Sequence, residues 1–165
     1  TVTIMAGCSP EQFEQMRPYY GIIGSSFYRM GDVGMGCVAK LCNQIIVTSN
    51  ITAICEAAAF AEKFGVDLDV LFRTLRCGSA YSAMMENRWA KLCQRDFTPG
   101  ATINIHLKDM RNVLGTAKKA GMDAMPVSDT LERVLEEHSG TGNGLLDSSS
   151  LLLYYERLFD VHVPS

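Results

Sequence analysis

The chain has 165 residues, of which 47% are hydrophobic and 20% are charged, and its formal net charge is −3 at pH 7. This length is enough for one domain with a hydrophobic core, and the composition is ordinary for a globular protein. The small negative charge, without a basic run, gives no support for nucleic acid as a partner. The longest uncharged apolar stretch, 41–55, is short for a membrane span, so neither a membrane partner nor a secretory signal is expected.

The cysteines and histidines show no spacing typical of a metal site. No two cysteines form a CxxC pair, and the three histidines share no spacing with acids or cysteines, so no metal is expected. We expect surface or helix-end positions for the histidines and reduced, mostly buried thiols for the cysteines. Such thiols are typical of a reducing compartment, here the cytoplasm or the mitochondrial matrix. The residues are Cys8, Cys37, Cys42, Cys55, Cys77 and Cys93, with His106, His138 and His162.

The first thirty residues predict a β-α-β unit. Residues 1–7 alternate polar and β-branched residues, as strands do, and residues 26–29 resemble a second short strand. Between them, Ser9 followed by Pro10 predicts a helix start. This helix is predicted to end near Gly21. One face of it is expected to carry the apolar residues Phe13, Met16 and either Tyr19 or Tyr20.

From Gly34 onward the periodicity is helical, so the fold class is mainly α. A long helix is predicted over about 35–64, with Gly65 as its terminating glycine. The composition divides the chain into 1–30, an α/β remnant, and 31–165, a helical domain. Asp147 or Ser148 is expected to cap the last helix. The further helices are predicted at 67–75 (with Val70, Leu71 and Leu75 inward), 80–94, 102–120, 127–138 (with Val127, Leu131, Val134 and Leu135 apolar) and 151–159, and a flexible loop at 139–144.

Lys40 lies near the start of the long helix, with Asn43 and Gln44 at helical spacing on the same face. Burial and the positive end of the helix dipole both disfavour an ammonium, which favours a lysine that gives and takes a proton at a hydroxyl or carbonyl oxygen. The two amides are then suited to orient a substrate oxygen. The alternative is that Lys40 extends into solvent at a helix end.

The glycines before this helix leave two interpretations open. Gly31, Gly34 and Gly36 suit either an anion at the helix N-terminus or close packing and a tight turn. They do not form the dinucleotide fingerprint, because GxGxxG is absent from the chain.

Three segments resemble motifs of the β-hydroxyacid dehydrogenases, a family that includes 3-hydroxyisobutyrate dehydrogenase and tartronate semialdehyde reductase. GDVGMGCVAKLCNQ (31–44) resembles the family's GxxGxGxxxKxxN(N) motif. HLKDM (106–110) resembles its LxxKD segment, and GNGLLDSSS (142–150) resembles its GxGxxDxSA segment. TVTIMAG (1–7) is similar to the last main strand of the family's nucleotide domain.

The resemblance implies a fold and an activity. The fold is an all-helical domain like the C-terminal domain of 6-phosphogluconate dehydrogenase, preceded by a remnant of a Rossmann domain. The activity is oxidation of a small 3-hydroxy acid to its semialdehyde with NAD or NADP. The main cofactor-binding half is expected to be absent from this chain, so the chain alone is expected to be inactive and to require that N-terminal domain as a partner. No arginine cluster for a phosphate lies near the motif, which favours unphosphorylated acids over phosphorylated sugars.

The resemblance also implies roles for particular residues. Lys40 is the general acid/base, and Asn43, Gln44 and Gly36 bind the substrate. Lys108 lies beside the nicotinamide nucleotide. Gln44 departs from the family, which usually has Asn at that position. Without the resemblance, Lys108 and the adjacent Asp109 indicate a solvated helix face.

A second hypothesis makes the chain a non-catalytic helical domain for oligomerisation or interaction. The long apolar helix favours it, because surface that a small domain cannot cover tends to be buried by a partner. Self-association as a homo-oligomer is expected under both hypotheses.

Overall fold

The computed structural model describes residues 2–164. Two short strands and a helix come first, followed by six more helices. The residues up to Gln44 form one compact unit, and those from Ile45 onward form another, so the division falls within a helix. The elements are β1 (Thr3–Gly7), α1 (Pro10–Ile23), β2 (Ser26–Gly31), α2 (Met35–Lys63), α3 (Leu68–Leu75), α4 (Ala83–Cys93), α5 (Ile103–Lys119), α6 (Pro126–His138) and α7 (Leu151–Phe159).

The β-α-β prediction is confirmed in the first unit. β1 and β2 pair in parallel, with Ile4 opposite Phe27. α1 begins with a capping box, in which the Gln12 N–H donates to Ser9 Oγ at 3.2 Å and the Ser9 N–H donates to Gln12 Oε1 at 3.0 Å. Thr1, the first residue of the predicted strand, lies outside the described residues.

The predicted apolar face of α1 is correct for Phe13 and for the Tyr20 alternative, but wrong for Met16. Phe13 is buried and Tyr20 is half-buried, and both rings lie within about 6 Å of Phe27 on β2. Met16 and Tyr19 are instead exposed. The face that packs on β2 therefore follows i, i+4 and i+7 from Phe13, with the Arg17 guanidinium over the Phe13 and Phe27 rings. The helix also runs to Ile23, past the expected end near Gly21.

α2 matches the predicted long helix closely and ends as expected. Gly65 has a φ of +70°, and its N–H donates to the Glu62 carbonyl, while the Val66 N–H donates to the Ala61 carbonyl. By length and composition α2 would be able to cross a membrane, but half of its most apolar window is buried within the protein. Core helices of water-soluble proteins meet the same criterion, so a membrane is not indicated.

The core of the second unit forms between α2 and the helices that follow it. α5 and α6 each bury the apolar side of the helix in this core, as their amphipathic patterns predict. A buried hydrogen bond of 3.0 Å between Thr48 Oγ1 on α2 and His106 Nδ1 on α5 crosses this core. Side chains with almost no exposed surface are Ile51, Met85, Leu92, Ile103, Met110, Leu135, Leu151 and Leu152.

Val70 on α3 was expected to face inward but is 49% exposed. Of the four apolar positions noted on α6, Leu131, Val134 and Leu135 are buried and Val127 is 57% exposed. Leu71 and Leu75 are half-buried, so α3 has no fully buried residue and lies on the surface. Val127 follows Pro126 in the first turn of α6, ahead of the part of that helix that enters the core.

Capping side chains set most of the helix boundaries. α4 begins at Ala83 rather than at 80, because the Ser82 hydroxyl accepts from the Met85 N–H at 3.1 Å. Thr102 caps α5 in the same way. Asp147, one of the two residues predicted to cap the last helix, instead caps a 3₁₀ turn, Ser148–Ser150, where it accepts from the Ser149 N–H. This turn leads into α7, whose own N-cap residue, Ser150, makes no side-chain capping hydrogen bond.

The segment predicted as a flexible loop is a tight turn held by side-chain hydrogen bonds. Residues Ser139–Asn143 continue α6 as one π-helical turn, which Gly142 interrupts with a φ of +91°. Thr141 Oγ1 donates to the His138 carbonyl at 2.7 Å, and Ser139 Oγ donates to Asn104 Oδ1 at 2.7 Å. The glycine content of this segment therefore reflects a tight turn.

The expectation of mostly buried thiols is wrong. All six cysteines are free, but only Cys55 is buried. Cys37, Cys42 and Cys77 are exposed, because they lie on helix faces or in turns that do not contribute to the core.

Candidate active site

The Lys40 side chain is exposed, in the second turn of α2. Among residues 2–164, none forms a hydrogen bond or an ion pair with its ammonium group. The burial that the sequence suggested does not act on Lys40 in this structure, because the first turns of α2 present this side to solvent. The ammonium is therefore accessible to a dissolved ligand.

Asn43 and Gln44 lie one turn further along α2. Asn43 is half-buried and Gln44 is 8% exposed. Asn43 Nδ2 donates to Gln44 Oε1 at 2.9 Å, so each amide fixes the rotamer of the other. This bond leaves the Asn43 carbonyl oxygen and one of its amide hydrogens available for a further partner.

The glycines before α2 serve close packing and a tight turn. Gly31 and Gly34 have φ values of +135° and +95°, which L-residues with side chains rarely adopt. A Cβ on Gly36 would collide with the carbonyl oxygen of Met5 and would lie 3.0 Å from the Gly7 nitrogen. This geometry accounts for Gly36 without a ligand, and its role in substrate binding remains a prediction.

Lys108 is on the exposed side of α5. Its ammonium lies 2.9 Å from Asp109 Oδ1, and the two side chains are 64% and 14% exposed. The opposite side of the helix is buried through Leu107 and Met110. Lys108 is thus held at the surface by a helix whose other face is fixed in the core.

Surface or helix-end positions were expected for the histidines. His106 near the start of α5 and His138 at the end of α6 do lie near helix ends, but both are buried. His106 is 2% exposed and His138 is 1% exposed, while His162 is exposed. His138 Nε2 lies 3.1 Å from Ser150 Oγ, and burial, with a smaller contribution from Arg157, lowers the pKa of His138 to about 4. Helical spacing from the apolar Ile103 and Met110 would have identified His106 as a core position.

Asp147 is a fully buried carboxylate to which the sequence had assigned no place in the site. Its side chain is 0% exposed and accepts hydrogen bonds at both oxygens. The signal in the sequence was the resemblance of 142–150 to a family motif, which carried no assigned role. Elsewhere in the described chain, no group of three or more His, Cys, Asp or Glu side chains is arranged to hold a metal ion.

The chain offers only part of what a nicotinamide dinucleotide requires. Lys108 is an exposed cation on a rigid helix, which suits an anionic nucleotide. The glycine-rich loop that cradles a pyrophosphate in Rossmann domains has no counterpart in the sequence. The donor set therefore fits an accessory contact to the cofactor.

Comparison with known proteins shows which family the chain resembles. Residues 34–155 match the family model described as NAD-binding of NADP-dependent 3-hydroxyisobutyrate dehydrogenase. The chain is 33% identical to the 2-hydroxy-3-oxopropionate reductase of Escherichia coli K12 over 92% of this chain and 52% of the relative. It is 30% identical to the L-threonate dehydrogenase of Haemophilus influenzae over 92% of this chain and 50% of the relative.

A solved structure has the same fold. The 3-hydroxyisobutyrate dehydrogenase of Salmonella typhimurium superposes with a TM-score of 0.85 at 30% identity, over 92% of this chain and 53% of that one. The chain spans about half the length of the curated relatives it matches. Since the family model covers most of the chain and includes Lys40, Asn43, Gln44 and Lys108, the chain belongs to the 3-hydroxyisobutyrate dehydrogenase family.

Proposed function

We propose that this chain is the helical part of an NAD(P)-dependent dehydrogenase that oxidises a small 3-hydroxy acid, similar to 3-hydroxyisobutyrate, to its semialdehyde. The observation that carries the proposal is the exposed ammonium of Lys40 beside an ordered amide pair, inside the segment that matches the family. We also propose that the helices from Ile45 onward form a domain like the C-terminal domain of 6-phosphogluconate dehydrogenase.

Lys40 acts as the general acid/base. In its neutral form, Nζ accepts the proton of the substrate hydroxyl as the carbinol carbon loses a hydride, and in the reverse direction the ammonium returns that proton. The nicotinamide ring, when bound, supplies the hydride acceptor. Asn43 and Gln44 hold the substrate oxygens, and their mutual hydrogen bond orients Asn43 in advance.

Lys108 contributes to cofactor affinity. Its position on the exposed side of α5 allows the ammonium to exchange the Asp109 carboxylate for an anionic group of the dinucleotide. An exposed ion pair between neighbouring residues contributes little to stability, so this exchange costs little.

The substrate class rests on charge and on the relatives. The relatives are named for 2-hydroxy-3-oxopropionate and L-threonate. Close to Lys40 in sequence, the described residues include no arginine cluster that would suit a phosphate. A small unphosphorylated hydroxy acid is therefore the proposed substrate.

The proposal is tested by supplying the rest of an enzyme. The part of the E. coli relative that this chain does not cover is joined to this chain, and NADH or NADPH formation is followed with a panel of 3-hydroxy acids and phosphorylated sugar acids. We expect turnover with one or more unphosphorylated acids. A folded, dinucleotide-binding protein that oxidises none of them, or only phosphorylated ones, contradicts the proposal.

A specific observation favours self-association as a second role. The exposed side of α2 carries a stripe of uncharged, mostly apolar side chains, spaced alternately four and three residues apart, as in coiled coils. Ile46, Phe60 and Phe64 are 62%, 58% and 69% exposed, and the stripe has no charged residue. We define the α2 stripe as Ile46, Asn50, Ala53, Ala57, Phe60 and Phe64.

The α2 stripe suits a second copy of this chain. Small residues lie at its centre and bulky residues at its ends, so two antiparallel copies related by a two-fold axis near Ala53 and Ala57 would pair Ile46 with Phe64. The exposed parts of the two phenylalanines alone amount to roughly 250 Å² per copy, about a third of the 800 Å² or so that each partner buries in a standard interface.

Sedimentation of the 165-residue chain tests this role. Ala57→Glu places a charge at the centre of the α2 stripe and is expected to convert a dimer into a monomer at micromolar concentration. The matched control is Ala90→Glu, which changes an exposed alanine on α4 and should leave the dimer unchanged. A wild-type monomer, or a dimer unaffected by Ala57→Glu, would rule out this surface.

A further inference from the structure

The segment 142–150 resembles a family motif, yet the proposed chemistry does not use it. In the structure its centre is a buried carboxylate. Asp147 Oδ1 accepts from the Ser149 N–H at 3.1 Å and from Ser149 Oγ at 2.9 Å. Asp147 Oδ2 accepts from the N–H groups of Gly100 and Ala101 at 3.2 and 3.3 Å.

This carboxylate has one cationic partner among the described residues. Arg88 on α4 places NH1 3.4 Å from Asp147 Oδ2, with 21% of the arginine side chain exposed. A buried charge is tolerated only when it is paired and hydrogen-bonded, and four donors plus a guanidinium meet that requirement. Replacing one carboxylate oxygen with an amide NH2 therefore removes the charge and leaves the two donors at that oxygen without their acceptor.

The same segment closes the first turn of α5. The Ile103 N–H donates to the Leu146 carbonyl at 3.0 Å, and the Asn104 N–H donates to the Gly144 carbonyl at 2.9 Å. Thr102 accepts from the next two N–H groups of the helix. The N–H groups of Ile103, Asn104 and Ile105, which a helix start leaves without intrahelical partners, are thus satisfied within the protein.

Asp147 fixes the loop that makes this closure possible. Its own N–H donates to the Phe97 carbonyl at 3.1 Å, and the Ser148 N–H donates to the Ala101 carbonyl at 2.9 Å. The carboxylate ties Gly100 and Ala101, and the backbone of Asp147 and Ser148 ties Phe97 and Ala101, to the segment whose carbonyls accept from the first N–H groups of α5. The residues on both sides of the start of α5 are thus joined at Asp147.

Lys108 lies in the second turn of α5, directly after this anchored turn. We propose that Asp147 is a positioning residue, which sets the orientation of Lys108 toward the anionic part of a nicotinamide dinucleotide through the first turn of α5. This inference rests on the proposed role of Lys108. Asp147 itself is proposed to touch neither substrate nor cofactor.

The first test uses the 165-residue chain and amide hydrogen exchange. Asp147→Asn keeps the shape but loses the charge, and we expect exchange at the Ile103 and Asn104 amides to become at least about tenfold faster, which is the fold-change of a 1.4 kcal/mol loss in local opening free energy. The matched control is Ser148→Ala, because Ser148 is equally buried and its hydroxyl has no partner among the described residues. Unchanged exchange in Asp147→Asn overturns the inference.

Arg88→Gln provides a milder variant in case Asp147→Asn fails to fold. It removes the cationic partner but leaves the four N–H and O–H bonds to Asp147 in place. We expect faster exchange at the same two amides, by a smaller factor. Unchanged exchange there overturns the inference equally.

The second test separates positioning from plain structural support. In the joined protein described above, NADH and NADPH affinities are measured by fluorescence titration for Lys108→Met, Asp147→Asn and the double variant. We expect each single variant to bind about tenfold more weakly and the double variant to bind no more weakly than Lys108→Met alone, because both act through Lys108.

The outcomes distinguish the two proposals. Normal binding by Asp147→Asn, or losses that multiply in the double variant, overturn the positioning role and leave the role of Lys108 standing. Normal binding by Lys108→Met overturns both. In each titration Ser148→Ala should bind as the wild type does.

Discussion

At the scale of single residues, burial decides what the polar side chains do. His138 is enclosed between Ser150 and the Tyr154 ring and has a pKa of about 4, whereas Lys40 remains exposed. The first residue is therefore held neutral as part of the core, and the second is available for chemistry. Residue type alone did not separate these two cases.

The buried His138 makes the stability of the protein depend on pH. Its pKa is lowered in the folded state from 6.5 to about 4, so the unfolded chain takes up the proton first as the pH falls. Stability from this residue is complete above pH 6.5 and is lost progressively down to about pH 4. Urea unfolding at pH 7.5 and pH 5.0 should differ by about 2 kcal/mol from this source.

His138→Gln and His162→Gln check the assignment. His138→Gln lowers stability at pH 7.5, but the difference in unfolding free energy between pH 7.5 and pH 5.0 should disappear, since no imidazole remains to be protonated. His162→Gln removes an exposed histidine, and that difference should remain. The same dependence on pH in His138→Gln as in the wild type would mean that another group is responsible.

For single residues, the sequence predicted which residues belong to motifs better than it predicted which side chains are buried. The motif around Lys40 and the pair Lys108–Asp109 were recognised from their resemblance to family motifs, and the structure places both on helices as expected. The burial of Asp147 and His138 was not predictable, because each depends on partners 12 or more residues away in the chain.

At the scale of elements, local signals predicted where helices begin and end. Ser9 and Gly65 act within one turn of their own position, so their effect on the helix ends could be predicted from the sequence. The inward faces were predicted less well, as α1 shows, because a face is selected by what packs against it. The turn at Ser139–Asn143 could likewise not be predicted from the sequence, since glycine-rich segments can adopt many conformations.

Two helix glycines are expected to respond oppositely to alanine. Gly115 lies inside α5, and a methyl group added there would meet nothing within 4 Å, so Gly115→Ala should stabilise the protein by about 1 kcal/mol through helix propensity. Gly36→Ala should destabilise it by about 1–3 kcal/mol, because the methyl group collides with the Met5 carbonyl.

Thermal unfolding measures both changes. Melting temperatures should shift up by roughly 2–4 °C for Gly115→Ala and down for Gly36→Ala. A Gly36→Ala protein as stable as the wild type would mean that α2 does not approach β1 as closely as the structure shows.

At the scale of the whole molecule, the family was recognisable because three motifs occur in the right order over most of the chain. The boundary between the compact units was harder to predict. Composition changes near residue 31, where the strands end, while the compact units divide at Gln44 within α2. A division within a continuous helix is hard to predict from the sequence, because the helical pattern of residues continues across it.

The central claim is that Lys40 carries the proton transfer. The most direct measurement is the turnover number of the joined enzyme with Lys40→Met, using Lys119→Met, an exposed lysine at the end of α5, as the control. We predict a loss of about 10²–10⁴ in kcat for Lys40→Met, with cofactor affinity retained, and normal turnover for the control. Near-normal turnover in Lys40→Met would contradict this claim.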